Sequence, residues 1–142
     1  VQTYLAAAGI RADIIQLDWS AFKEAVNRGE ADAFWLSWWA DYPDPENFLY
    51  PLFHSSNAGP AGNRSQYRDR EVDHLIELAQ ATTSQRARYD LYLRAEQRIV
   101  KNAPWVFMWH RSDIVVVQPW VEGFRLYPIY SIDKGTEMGV RK

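Results

Sequence analysis

The residues best suited to chemistry lie together between Trp38 and Asn47, where two tryptophans lead directly into a short acidic turn. Three carboxylates, Asp41, Asp44 and Glu46, follow this aromatic pair. A carboxylate beside a large aromatic face binds an ammonium group through a charge-assisted hydrogen bond, and the face adds a cation–π attraction. The stretch therefore predicts a site for a cationic or polar small ligand.

Other interpretations of these carboxylates have less support. Asp41 and Asp44 are also of the type that caps turns and helices, and the tryptophans are of the type that fills a core. A glycosidase would use paired carboxylates among sugar-stacking tryptophans, but its acid and base face each other across the substrate, whereas these carboxylates share one turn. An EF-hand is excluded because its glycine and closing glutamate are missing.

No metal or cofactor chemistry is indicated elsewhere in the chain. His54, His74 and His110 are far apart and lack the spacing of metal ligands. The absence of cysteine excludes thiol catalysis and cysteine metal sites. There is no Gly-x-Ser-x-Gly motif and no glycine-rich phosphate loop. We therefore expect no cofactor and no enzymatic activity.

The acidic turn must be positioned by the run before it, residues 33–39, which is apolar at nearly every position. Such a run predicts a strand buried on both faces. Pro43 and Pro45 lack backbone donors, so the strand must end before them. Asp41 then lies at the carboxyl end of the strand, the edge at which open α/β sheets bind ligands.

The rest of the pattern predicts an α/β fold. The expected elements, in chain order, are a helix over 1–8, a strand over 10–17, a helix from Asp18 to Gly29, a helical turn or two over 48–53 with Pro51 near its start, a loop over 55–67, tandem helices around 72–79 and from Thr83 or Ser84 to about Ile99, and strands over 105–109 and 114–117 joined by a hairpin at 110–113. The basic residues of the tandem helices are expected to be solvated: Arg86, Arg88, Arg94, Arg98 and Lys101.

Composition limits the partners. The chain has 142 residues, the size of one domain, with 47% hydrophobic and 24% charged residues. A net charge of −2 without a basic run argues against nucleic acid and anionic membranes as partners. Because Val1 falls inside a predicted helix, we expect the sequence to be a piece of a longer protein.

The order of these features resembles the C-terminal part of bacterial extracellular solute-binding proteins of the oligopeptide, dipeptide and nickel class, over nearly the whole chain. The matching residues are Gly9-Ile10, Asp18-Trp19, Gly29, Asp32, the Trp-x-Ala-Asp-Tyr-x-Asp-Pro-x-x-Phe-Leu stretch from Trp38 to Leu49, Asn63, Ser65, Tyr67, Glu71-Val72-Asp73, Leu75-Ile76, Ala79, Arg88, Tyr92, Ala95-Glu96-Gln97, Pro104, Pro119-Trp120-Val121 and Gly123.

This resemblance implies most of the C-terminal lobe of a two-lobed clamp, with a mixed sheet flanked by helices. Residues 1–118 would form the ligand-binding lobe, and residues 119–142 would cross back toward the other lobe. Such proteins deliver a short peptide or related solute to the permease subunits of an ABC importer. The resemblance also implies export, to the periplasm or as a cell-surface lipoprotein. An unpartnered lobe would leave apolar surface uncovered, so the chain alone is expected to self-associate.

The resemblance also implies roles for individual residues. In the peptide-binding members, the aspartate of the Trp-x-x-Asp stretch pairs with the ligand's α-ammonium, and here these residues are Asp41 and Trp38. Trp39 and Tyr42 complete the expected ligand-binding set. Because neighbouring strand residues point to opposite faces, at least one tryptophan of the pair should be structural, and we expect Trp39 rather than Trp38 to be that one. Trp35 stands where some members carry an arginine for the ligand's carboxylate, which leaves a bulky peptide or a glycan as alternative ligands.

Overall fold

The computed structural model describes residues 1–110, 112, 114–126 and 137–141. Within these ranges the helices are α1 (Gln2–Ala7), α2 (Trp19–Arg28), α3 (Glu46–Phe53), α4 (Arg70–Ala81) and α5 (Gln85–Asn102), and a 3-10 turn covers Ser55–Asn57. The strands β1 (Val121–Glu122) and β2 (Gly139–Val140) pair antiparallel, with Val121 opposite Val140. No helix in the described part is long and apolar enough to cross a membrane.

The core lies where α3, α4 and α5 pack together. Apolar residues recur at helical spacing along each of these helices, so each has one face to bury. The buried cluster consists of Leu49, Leu52, Phe53, Val72, Leu75, Ile76, Ala79, Tyr92, Ala95 and Ile99, and Trp38, Tyr50, Tyr67, Leu91 and Trp105 pack against it. The segment before the acidic turn therefore reaches this core through Trp38.

The helices predicted from the sequence are confirmed. α1 ends before Gly9, and Asp18 caps the start of α2, because its carboxylate accepts the backbone N–H groups of Ser20 and Ala21 at 3.0 and 3.1 Å. Gly29 ends α2 in the left-handed conformation, with φ of 71°. The tandem helices are α4 and α5, which make the most extensive helix contact in the described part.

The position of Pro51 within its helix differs from the prediction. It was expected near the start of a short helix, but α3 begins at Glu46, so the proline lies in its second turn. The helix begins earlier because the proline-rich turn itself starts it: Pro45 precedes the first helical residue, and its carbonyl accepts the N–H groups of Phe48 and Leu49. A proline inside a helix removes the bond that its own N–H would make, and its ring crowds the carbonyl four residues earlier. α3 nevertheless continues past Pro51 to Phe53.

The predicted strands over 10–17, 33–39, 105–109 and 114–117 do not form ladders in the described residues. A strand needs a neighbour for its backbone groups, and an apolar strand also needs a layer to cover its side chains. Here many of these side chains are exposed, among them Ile14, Ile15, Val106, Ile114 and Val116. In the proposed hairpin turn, Arg111 and Asp113 lie outside the described residues.

The β1–β2 pair was not predicted, since two-residue strands carry no periodic signal. Its ends are held by an ion pair between Arg141 and Glu122 and by a backbone bond from Arg141 N–H to the Trp120 carbonyl, 2.9 Å long. Residues 127–136 and 142 of the segment expected to cross toward another lobe lie outside the described residues, so the boundary after residue 118 stays a prediction.

A glycine substitution tests the packing of the loop against α3. Gly62 has φ of 144°, and a Cβ there would lie 2.4 Å from the Pro51 carbonyl oxygen, which α3 holds in place. We expect Gly62→Ala to lower the free energy of unfolding by about 2 kcal/mol or more. In Gly139→Ala, where a Cβ meets nothing within 4 Å, the change should stay within about 0.5 kcal/mol. Urea unfolding measures both, and equal values would contradict this account of the loop.

Candidate functional site

The turn from Asp41 to Asn47 is closed by a buried amide. Asn47 is 5% exposed, and its side-chain oxygen accepts the backbone N–H of Asp41 at 2.8 Å. The Asn47 N–H in turn donates to the Asp44 carbonyl at 3.1 Å, and the Asp44 N–H donates to the Tyr42 carbonyl at 2.9 Å. Asn47 has no role among the sequence predictions, although a polar residue on the apolar face of α3 is a signal for one.

Asp44 joins the turn to α5. Its carboxylate accepts the Glu46 N–H at 2.8 Å, which caps the start of α3, and it receives two hydrogen bonds of 2.7 Å from the guanidinium of Arg88. The hydrogen bond with Arg88 holds the pKa of Asp44 below its ordinary value of 3.8. The interpretation of Asp44 as a structural cap is thus confirmed by these contacts.

The expectation that Arg88 is solvated is wrong. Its side chain is 22% exposed, its guanidinium lies over the Tyr92 ring at 4.9 Å from the centroid, and one nitrogen donates to the Tyr92 hydroxyl at 3.3 Å. A helix periodicity shows which face a residue occupies but does not reveal a carboxylate 44 residues earlier in the chain. The signal that pointed to Arg88 was its place in the family resemblance.

The carboxylate of Glu46 also forms hydrogen bonds within the protein. The Tyr42 hydroxyl donates to one oxygen of its carboxylate, and this hydrogen bond is the main cause that raises the pKa of Tyr42. The amide of Gln80 on α4 donates to the other oxygen at 3.2 Å. The turn is therefore fastened to both tandem helices, to α5 through Asp44 and to α4 through Glu46.

Asp41 differs from its two acidic neighbours. Its side chain is exposed, and among the described residues its carboxylate accepts no hydrogen bond and forms no ion pair, while its backbone N–H is held by Asn47. The turn thus presents one uncommitted carboxylate on a fixed backbone. Such a group can accept charge-assisted hydrogen bonds from a cationic ligand.

The tryptophans before the turn occupy different environments. Trp38 is half-buried against the core, and its indole Nε1 is buried and makes no hydrogen bond to the described residues. Trp39 is 44% exposed, and Trp35 is exposed with its ring centroid 4.9 Å from that of Trp109. One tryptophan of the adjacent pair does pack against the core, but it is Trp38 and not Trp39, the member expected to be structural. Trp38 lies three residues before Asp41 in the sequence.

The histidines are not brought together. His54 is buried, where its Nδ1 accepts the Ser56 N–H at 3.2 Å and its Nε2 lies 3.3 Å from a carboxylate oxygen of Glu77. His74 and His110 are exposed. Within the described ranges no group of three acidic or imidazole side chains could hold a metal ion.

Comparison with known proteins places the acidic turn inside a matched region. The family model for the middle part of bacterial extracellular solute-binding proteins of family 5 matches residues 1–60. The "Probable di/tripeptide-binding protein 5" of Pseudomonas aeruginosa is 32% identical over 90% of this chain and 24% of its own length. "Heme-binding protein A" of Haemophilus influenzae is 30% identical over 84% of this chain and 22% of its own length.

A solved structure shows the same fold. The "ABC transporter-associated periplasmic binding protein DppA from Helicobacter pylori in complex with peptide STSA" superposes with a TM-score of 0.65 at 34% identity, covering 74% of this chain and 21% of that one. This likeness confirms the predicted fold class, although the described residues contain only one strand pair. The chain spans about a quarter of the length of the relatives that it matches.

The pH dependence of stability tests the Asp44–Arg88 contact. Because the pKa of Asp44 is lowered in the folded protein, the pair contributes stability above the ordinary pKa of 3.8 and loses it as the pH falls through the lower folded value. We expect Asp44→Asn to cost about 1–2 kcal/mol at pH 7.

That difference from wild type should shrink when unfolding is measured below about pH 4. Asp13→Asn serves as a control, since Asp13 is exposed and has no ion pair in the described part. It should change stability by less than about 0.5 kcal/mol at either pH. A cost for Asp44→Asn that is constant from pH 7 to pH 3 would contradict the assigned contact.

Proposed function

The chain belongs to the family 5 class of bacterial extracellular solute-binding proteins, and we propose that it supplies the carboxylate that anchors the ammonium group of a short peptide in the cleft of such a protein. The observation that carries this proposal is the contrast within one turn. Asp44 and Glu46 are committed to Arg88, Tyr42 and Gln80, whereas the carboxylate of Asp41 is exposed and uncommitted.

Aromatic side chains next to Asp41 suit this role. Tyr42 is 45% exposed and Trp39 is 44% exposed, so both present ring surface, and both lie within two residues of Asp41 in the sequence. Trp38 packs against the core and keeps an indole N–H that no described residue accepts. In the proposal, these rings line the pocket and Asp41 receives the ligand's α-ammonium group. Burial by a closing partner lobe would then exclude water and strengthen that hydrogen bond.

The proposed action is binding without chemistry. Proteins of this family bind solutes and are not enzymes. The absence of catalysis in this chain is further supported by the site, because Asp44 and Glu46 are tied up in structural bonds and cannot serve as opposed acid and base for Asp41. The relatives named above carry peptides or heme in their names, so a glycan ligand is not favoured.

The cellular setting follows from the same relatives as a proposal. We place the protein outside the cytoplasmic membrane, in the periplasm or as a surface lipoprotein, where it would hand its ligand to ABC permease subunits. Residues 1–118 would form the ligand-binding lobe. Residues 119–142 would cross toward the second lobe, and this division is supported by β1 and β2, which pair with each other.

Removal of one carboxylate tests the anchor. In the protein as its gene encodes it, wild type should bind trialanine, and Asp41→Asn should weaken that binding about tenfold to a hundredfold, because the ammonium loses its charged acceptor. Isothermal titration calorimetry measures both. Asp32→Asn, a change at another exposed carboxylate nearby, should leave the affinity unchanged. Unaltered binding by Asp41→Asn would sink the proposed role.

Self-association of the 142-residue chain is a second expectation. The segments that form no ladder expose large apolar side chains such as Ile14, Trp109 and Val116, and uncovered strand-like segments pair with other copies. We expect light scattering to give a mass that rises with concentration between about 10 μM and 1 mM, the range of weak to moderate association. A constant monomer mass over that range would contradict the expectation.

A further inference from the structure

We infer that Arg88 is a positioning residue for ligand binding, which holds the turn that carries Asp41 although its own guanidinium is committed within the protein. The inference rests on the proposed function, since it assigns Arg88 an effect on the same site. It adds a residue from α5, outside both the acidic turn and residues 1–60 that match the family model.

The first step is the way in which Arg88 is used. Its two terminal nitrogens each donate to a different oxygen of Asp44 at 2.7 Å, and Tyr92 stacks against the guanidinium and accepts a further hydrogen bond. A bidentate contact of this kind fixes orientation as well as distance. The Asp44 carboxylate therefore has a set position relative to α5.

The second step runs from Asp44 to Asp41 through the backbone. Asp44 N–H donates to the Tyr42 carbonyl, and the Asp44 carbonyl accepts the Asn47 N–H. Asn47 in turn holds the backbone N–H of Asp41 at 2.8 Å. A shift of Asp44 would therefore move Tyr42, which follows Asp41 in the chain, and Asn47, which accepts the Asp41 N–H. Because the Asp41 carboxylate makes no bond of its own within the described residues, its place depends on this backbone.

The third step is a contact of the same construction elsewhere on α5. Arg98 donates to Asp69 at 2.8 Å, and Asp69 caps α4 by accepting the N–H groups of Glu71 and Val72. Both arginines therefore hold a capping aspartate at the start of an earlier helix. Only the Arg88 contact leads to the turn with Asp41. Arg98, which pairs with Glu71 as well as with Asp69, therefore provides a control for the loss of an arginine–aspartate pair from α5.

The test compares Arg88→Met, Arg88→Lys and Arg98→Met in the protein as its gene encodes it. Each is titrated with trialanine and with N-acetyl-trialanine, which lacks the ammonium group. The ratio of the two affinities measures how well Asp41 is placed to receive an ammonium. A variant that only unfolds more easily loses active protein for both ligands equally, so its ratio does not change. Thermal unfolding is recorded for every variant.

We expect wild type to prefer trialanine and Arg88→Met to lose that preference about tenfold. Arg88→Lys should be intermediate, since lysine restores the charge but not the bidentate geometry; it also decides the matter if the methionine variant does not fold. Arg98→Met should unfold at a lower temperature yet keep the wild-type ratio.

Two results would overturn the inference in distinguishable ways. If wild type shows no preference for trialanine, or Asp41→Asn keeps it, the proposed function fails and this inference fails with it. If wild type prefers trialanine and Asp41→Asn abolishes the preference, but both Arg88 variants retain the wild-type ratio, the proposed function stands and the positioning role of Arg88 is wrong.

Discussion

The contact between Asp44 and Arg88 is the constraint on which the arrangement of the site depends. A chain segment with two prolines in three residues leaves regular structure, and something must then fix where it goes. Here an arginine from α5 does so, with both oxygens of the carboxylate engaged. The same carboxylate caps α3, so one side chain starts a helix and attaches that helix to the core of tandem helices.

Under the proposed function, the three carboxylates of the turn have different roles. Asp44 and Glu46 satisfy donors from α5 and α4, and Asp41 is left with an exposed carboxylate on a backbone that Asn47 holds. A binding group benefits from this arrangement because the ordering of the turn occurs on folding and need not be repeated when a ligand arrives. The acidic richness of the motif thus reflects its anchoring as much as its chemistry.

The sequence predicted the helices well and the sheet poorly, for one physical reason. Helices make their backbone bonds locally, so capping residues such as Asp18 and Gly29 were enough to place α2 to the residue. Strands depend on neighbours, and the apolar run over 33–39 finds no ladder partner in the described residues. Long-range side-chain contacts, above all Arg88 with Asp44, leave no periodic trace at all.

The difference between local and long-range interactions also limits how much of the candidate site the sequence can predict. Asp41 was identified through its residue type, its proline neighbours and the family resemblance, all of which are local in sequence. Asp41 stands apart because the other two carboxylates are bound by Arg88 and Gln80. These partners are distant in sequence, so local sequence features do not reveal them. Residue type and the family resemblance therefore indicated Asp41, and the packing of α4 and α5 against the turn explains why Asp44 and Glu46 are not equally available.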